Sequence, residues 1–409
     1  DQLTWAAGPS IARTLRADWM FDADLSTDAL LSSFGVHSLD GFGFQSEDQS
    51  LVRVSGALVQ YLKEIRPGGV SHLKPPRIRR PGQIMLLDEM TRRNLELIEP
   101  LRTGEQGGVL LDVLDVTTTP MGGRLLRRWV LEPLIHIEDI CVRHSAVEEF
   151  VDRPDVRRRI RGALSGITDF ERLAGKVGTG RVTPRDLAGL RRSLEQLPEI
   201  QAAGIEAKDS LIRECAVNKD CLEDVSTLLK RAISDDPPAT LQEGGVVKKG
   251  WSEDLDELRA VRDGARDFIA SLQVRERERT GVASLKVGFN KVFGYYLEVT
   301  RANLGKVPVD YVRKQTLANA ERYFTPELKE WEEKVFGAED RISHLEAELF
   351  SDIRGRIAKE IGRLQDTAAR VATLDVLVSF AEVATSQNYV RPEIHSGFEL
   401  ELVASRHPV

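Results

Sequence analysis

Two long runs of this chain repeat their apolar residues at intervals of three and four, the signature of helices with one buried face. From Ser252 to Thr280 the series is Leu255, Leu258, Val261, Ala265, Phe268 and Leu272. Ser252 caps it, and Glu253 and Asp254 suit the positive N-terminal end. The second run opens on Thr325-Pro326-Glu327, a cap residue, a proline at the first helical position and an acid in the first turn. It continues through Leu328, Trp331, Val335, Ala338, Ile342, Leu345, Leu349, Ile353, Ile357, Ile361, Leu364, Ala368, Val371 and Leu374, with no proline until Pro392. As one helix of roughly 60 residues it would span roughly 90 Å at ~1.5 Å per residue. Gly337, Gly355 and Gly362 mark the places where it would bend or break.

Between these runs the period changes. Ser284–Thr325 holds strand-forming stretches separated by turn residues. Lys291-Val292-Phe293-Gly294 turns one hairpin, between Leu285–Asn290 and Tyr295–Thr300. A second pair, Tyr311–Leu317 and Arg322–Thr325, meets around Asn319. The expected arrangement is an outgoing helix, a β module at its end and a returning helix.

The remainder is shorter-grained. Ser26–Phe34 and Leu51–Ile65 read as helices, the second with Leu51, Val54, Ala57, Leu58, Tyr61 and Leu62 on one side. Asp40-Gly41-Phe42-Gly43-Phe44 is a loop with two packed phenylalanines, and Pro67-Gly68-Gly69 and Lys74-Pro75-Pro76 close this part. Helices follow from Thr119-Pro120 to Glu132-Pro133, over Ile137–Val151, from Thr183-Pro184 through Leu194, and over Leu222–Ile233. Phe398-Glu399-Leu400-Glu401-Leu402 alternates like a strand. The fold class is therefore mainly α, a helical core with long helices and a small inserted antiparallel β module.

Composition adds three constraints. The 409 residues, 41% apolar and 30% charged, suffice for two to four structural units with extensive solvated surface. No run approaches 18 apolar residues, so no membrane span is expected. Cys141, Cys215 and Cys221 match no paired-ligand spacing and read as reduced thiols of a cytoplasmic protein. The opening DQLTWAAGPS is neither a signal nor a transit peptide and lacks an initiating methionine, so the chain reads as cut from something longer.

Charge singles out the β module. Residues 284–323 carry Lys286, Lys291, Arg301, Lys306, Arg313, Lys314 and Arg322 against Glu298, Asp310 and Glu321, a net +4 on a chain of net −7. A positive tip on an acidic body is a candidate phosphate-binding surface. Charged edges that keep a solvated sheet from aggregating give the same count, and charge alone leaves both readings open. The arginines at 124, 127 and 128 and at 153, 157, 158, 159 and 161 read as solvated helix faces.

No catalytic chemistry stands out. There is no G-x-x-x-x-G-K-[ST] phosphate loop, no H-E-x-x-H, no nucleophile elbow and no kinase signature. The seven histidines are scattered and read as structural. Neighbouring acids such as Glu332-Glu333 point to different sides of a helix.

Several stretches together resemble the MutS family of DNA mismatch-repair proteins. They are Leu285-Lys286-Val287-Gly288-Phe289-Asn290, Phe293-Gly294-Tyr295-Tyr296, Arg313-Lys314-Gln315-Thr316-Leu317, Asn319-Ala320-Glu321-Arg322-Tyr323 and Pro326-Glu327-Leu328-Lys329. Leu111-Asp112-Val113-Leu114-Asp115, Thr119-Pro120-Met121-Gly122, Arg127-Arg128-Trp129 and Val274-Arg275-Glu276-Arg277-Glu278-Arg279-Thr280-Gly281 extend the likeness over essentially the whole chain, to Arg406-His407-Pro408-Val409.

The resemblance implies a domain order. Residues 1–74 would be the end of a connector domain, 75–250 a helical core, and 251–283 an outgoing lever. A β clamp at 284–325, a return lever at 326–391 and a lead-in to an ATPase domain at 392–409 would follow. It further implies that the clamp closes over double-stranded DNA, with Lys291, Arg313, Lys314, Asn319 and Arg322 on its phosphates. Ala318 stands where members of the family often carry lysine. Tyr295, Tyr296 and Tyr323 read as module core, because duplex bases are not exposed for stacking. In the full-length family ATP and magnesium, a dimer and a MutL-type repair partner reached through the connector are implied, in the bacterial cytoplasm at the nucleoid. Within this chain the resemblance implies no catalytic residue, no cofactor and no membrane contact. Two other readings remain: a coiled-coil scaffold whose β tip grips a protein, and a relative of MutS working in another DNA pathway.

Overall fold

The computed structural model describes residues 15–409 apart from 37, 40, 41, 43, 67–72, 75, 77, 79–81, 102–107, 218, 219, 291 and 293. Lys291 therefore lies outside the described residues, as do Asp40, Gly41 and Gly43 of the expected loop and Pro67-Gly68-Gly69 and Pro75 of the expected breaks.

Among the described residues the helices run α1 (Ala23–Phe34), α2 (Gln49–Ile65), α3 (Glu89–Asn94), α4 (Leu110–Leu114), α5 (Pro120–Leu131), α6 (Ile137–Asp152), α7 (Pro154–Leu164) and α8 (Phe170–Gly178). They continue as α9 (Pro184–Leu194), α10 (Leu197–Ile205), α11 (Ser210–Ala216), α12 (Glu223–Ala232), α13 (Glu253–Thr280), α14 (Pro326–Ala358) and α15 (Ile361–Gln387). One antiparallel sheet, β1 (Lys286–Asn290), β2 (Gly294–Thr300), β3 (Val312–Thr316) and β4 (Ala320–Phe324), falls between α13 and α14 in sequence. The fold is mainly α with one small sheet, as the periodicities predict.

Cap chemistry sets several helix starts where the sequence places them. The Thr119 hydroxyl accepts from Gly122 N, Ser252 from Leu255 N and Thr325 from Leu328 N. Thr183 and Asp186 exchange side-chain-to-backbone bonds at the head of α9. Each bond satisfies a backbone donor that the first turn leaves without a partner.

The chain forms two compact units: Asp1–Val182, Gly189–Ser226 and Arg356–Val409 in the first, Thr183–Ala188 and Thr227–Gly355 in the second. The first is built around α15, whose stretch from Leu374 to Ser379 is buried on every side, as a helix enclosed by others must be. α5, α6, α7, α8 and α11 pack on it. Its buried Asp375 carboxylate caps the segment leading into α5. One oxygen accepts from Thr118 N and Oγ1 (2.9 and 3.0 Å), the other from Thr119 N and Oγ1 (2.7 and 2.6 Å). A Cβ on Gly122 would sit 2.2 Å from this carboxylate, so the glycine is required. One turn further along, Ser379 Oγ accepts from Val116 N and donates to Leu114 O. At the start of the unit α1 and α2 cross closely where Gly56 meets Ser26, and Phe42 and Phe44 pack with them as expected.

In the second unit α13 and α14 are joined at two levels. Phe268 stacks on Trp331 at 4.2 Å, beside the sheet. Farther along, Val247 and Leu255 pack with Ile342, and the buried Glu346 accepts from Gly245 N (2.8 Å), Val246 N (3.3 Å) and Arg259 Nη2 (2.5 Å). Leu328 to Leu349 along α14 is about 30 Å of helix between these ends.

Four expectations need correction. The single return helix is two: Lys359 N bonds to Arg356 O and Glu360 N to Ile357 O, a tightened turn that ends α14. Ile353, Ile357, Ile361 and Leu364 stay buried across the break, so the apolar repeat continues where the helix does not. On α2 the buried side is Val52, Ala57 and Val59, while Leu51, Val54 and Leu58 are exposed. Phe398–Leu402 forms no strand and is exposed, because no ladder partner lies beside it among the described residues. Arg157 is not solvated: it is buried, bonding Phe150 O and Thr385 Oγ1 and pairing with Glu382 at 2.8 Å.

Candidate functional site

The strand order is β1-β2-β4-β3, with both hairpins in the expected places. Leu297 and Val299 of β2 and Tyr323 of β4 point inward, joining Leu285, Tyr311, Ile269, Leu272, Leu328 and Val335 in one core. The module is thus fastened to both long helices by its own apolar face. Tyr295 packs against this core, and Tyr323 lies within it. Burial and a hydrogen bond to Glu321 push the Tyr323 phenol up to about 12. Burial and a bond to the enclosed Glu276 raise Tyr311 as well.

Glycines fit two close approaches. Gly294 has φ +71° and lies against α14, where a Cβ would fall 2.4 Å from the Glu332 carboxylate. Glu332 accepts from Tyr295 N at 2.5 Å, pinning the hairpin to the helix. Gly288 has no side chain because Tyr296 lies over it, with a Cβ position 2.7 Å from the ring. The Arg322 guanidinium stacks on the same ring, 4.1 Å from its centre.

The solvent face of the sheet carries a transverse row. Lys286 pairs in register with Glu298, Glu298 with Arg322, and Arg322 with Gln315. Arg322 Nε donates to Glu298 at 3.0 Å and Nη1 to Gln315 at 3.0 Å. On β3, Arg313 is opposite Tyr323 while Gln315 is opposite Arg322, so Lys314 is the extra residue of a bulge. A bulge re-aims side chains, and the Lys314 ammonium rises over Phe324, 5.4 Å from the ring centre.

The sequence-predicted residues thus fall into different situations. Arg313 is exposed, with Glu321 a loose 3.8 Å away. Asn319 is exposed in the β3–β4 turn, where its carbonyl accepts from Arg301 N. Lys314 is half-buried on the same hairpin, and Arg322 is half-buried and tied to Glu298. Lys286, Arg301 and Lys306 are also exposed, and with Lys314 they form no ion pair with any described residue. Net charge counted these cations without saying which were neutralised. Glu298, Glu321 and Asp310 each face an arginine: Arg322, Arg313 and Arg279.

The chemistry available on this face is cationic contact with an anionic partner. Among the described residues no group of three metal-ligating side chains occurs, and no helix is long and apolar enough to cross a membrane. ATP and magnesium, implied by resemblance for the full-length family, find no phosphate loop in this sequence.

Comparison with known proteins follows the same lines. A family model described as MutS domain III matches residues 90–381. The DNA mismatch repair protein MutS of Symbiobacterium thermophilum is 46% identical over 414 residues, which cover 99% of this chain and 47% of that protein. That of Salinibacter ruber is 42% identical over 396 residues, 97% of this chain and 44% of the relative. That of Acetivibrio thermocellus is 46% identical over 392 residues, 96% and 45% respectively. The chain spans a little under half the length of the curated relatives it matches.

Proposed function

The chain belongs to the MutS family, and from that premise we propose that it serves DNA mismatch repair as a non-catalytic part that grips duplex DNA through its phosphates. The gripping element is the sheet at 284–325. Arg313, Lys314, Asn319 and Lys291 meet the sugar–phosphate backbone, and Arg322 supports them. Lys286, Arg301 and Lys306 add to the field. The observation that carries this reading is that Lys286, Arg301, Lys306 and Lys314 form no ion pair with any described residue, on a module whose core is already satisfied. Lysine, arginine and asparagine at exposed turns and edges reach phosphates from either strand without reading bases. α13 and α14, stacked through Phe268 and Trp331 and tied through Glu346, are the struts that link the grip to the ATPase of the full-length protein.

Salt provides the test. Binding of the 409-residue chain to a mismatch-free duplex is expected to weaken linearly in log K against log salt, with a slope of about −2.7 for three neutralised phosphates. Duplexes of unrelated sequence should give the same line. A salt-independent affinity would remove phosphate contact from the account and leave the sheet as a protein-binding tip.

A further inference from the structure

The Lys286–Glu298–Arg322–Gln315 row contains one anion, and it stands between the only two cations of the row. We infer that Glu298 is an internal competitor for DNA phosphate, occupying Arg322 until a duplex displaces it and so limiting how tightly the sheet holds nucleic acid. This rests on the phosphate-grip reading above and adds a residue that sets its strength.

The geometry is that of a preformed anion site with an occupant. Glu298 lies 3.0 Å from Arg322 Nε, and the guanidinium is fixed from other sides by Gln315 Oε1 and the Tyr296 ring. That ring lies over Gly288, where a Cβ would fall 2.7 Å from it. Arginine therefore needs no reorganisation to receive an oxyanion, and carboxylate and phosphate oxygens suit the same planar fork of donors. The pair is open to solvent rather than sealed, with side-chain exposures of 19% for Arg322 and 30% for Glu298. A partly solvated pair of this kind contributes only modestly to stability, so exchange of one anion for another is weakly opposed by folding. Neighbouring strands lie about 4.8 Å apart, which keeps Lys286 close enough to feel the same carboxylate. With Glu298 present the row carries one net positive charge; without it, two.

The experiment measures duplex affinity against salt for the full 409-residue chain, its Glu298→Gln variant and the Glu298→Gln/Arg322→Gln double variant. Releasing one cation should raise affinity about five- to ten-fold at 0.1 M salt and steepen the slope by about 0.9. The double variant should lose that gain. A Glu298→Thr variant, strand-forming and uncharged, repeats the test should the glutamine variant fold poorly. A Glu298→Gln chain that binds with unchanged slope and affinity, beside a wild-type chain that is salt-dependent, overturns the competitor role while leaving the grip in place. So does a gain that persists in the double variant. A wild-type chain with no salt dependence overturns the grip itself, and the competitor with it.

Discussion

Replacing Asp375 by alanine is expected to loosen the first unit by roughly 3 kcal/mol. The carboxylate is fully enclosed and accepts from two backbone N–H groups and two hydroxyls at the head of α5. The hydroxyls can turn to other acceptors, but the amides of Thr118 and Thr119 cannot. Each donor left buried without a partner costs about 1–3 kcal/mol, and the vacated volume adds to that. The N-terminal end of α5 also loses its negative partner. Asp375→Asn keeps one acceptor oxygen and should fall between the two. Hydrogen exchange is the readout: amides of residues 114–131 should lose protection in Asp375→Ala while those of β2 and β4 keep theirs. Unchanged protection at 114–131 would mean that the carboxylate is dispensable.

The largest effect on binding is expected from Arg313→Gln, Lys314→Gln and Arg322→Gln combined. With Arg313 and Lys314 on phosphates and Arg322 held by Glu298, duplex affinity at 0.1 M salt drops by roughly 50- to 100-fold and the slope flattens by about 1.8. The loss should be the same on every duplex, because phosphates carry no sequence. Folding should survive: the three side chains lie outside the Leu297–Tyr323–Leu328 core, and exposed ion pairs such as Arg313–Glu321 stabilise by about 1 kcal/mol or less. Affinity and slope matching those of the unaltered chain would place the DNA contacts elsewhere, and Lys286, Arg301 and Lys306 would be next in line.

Local chemistry was what the sequence revealed best. Ser252, Thr119-Pro120, Thr183-Pro184 and Thr325-Pro326 announce helix starts because a cap bonds within its own first turn. Both hairpins were legible for the same reason. What stayed hidden depends on residues far apart in the chain. α2 carries apolar side chains on more than one side, and only packing with α1, Leu39 and Phe44 decides that Val52 and Val59 are covered while Leu51, Val54 and Leu58 are not. Arg157 looked solvated until Glu382 and Thr385 came beside it. Asp375 and Glu346 sit inside helical repeats, where nothing nearby signals their partners at Thr118, Thr119 and Gly245. The break after Ala358 falls on lysine and glutamate, not on the glycines, because a tightened turn keeps the apolar repeat in phase. In the candidate site the basic residues could be counted from the sequence, but their pairing could not, since Glu298 meets Arg322 only across the ladder.

Direct contact between the β3–β4 turn and a duplex is the central claim, and a photocrosslinker placed there tests it most closely. With benzoylphenylalanine in place of the exposed Asn319, irradiation should yield adducts with duplexes of any sequence, diminishing as salt rises. The same group in place of the exposed Lys208, in the first unit, should give few. Adducts from position 208 and none from 319 would contradict the account.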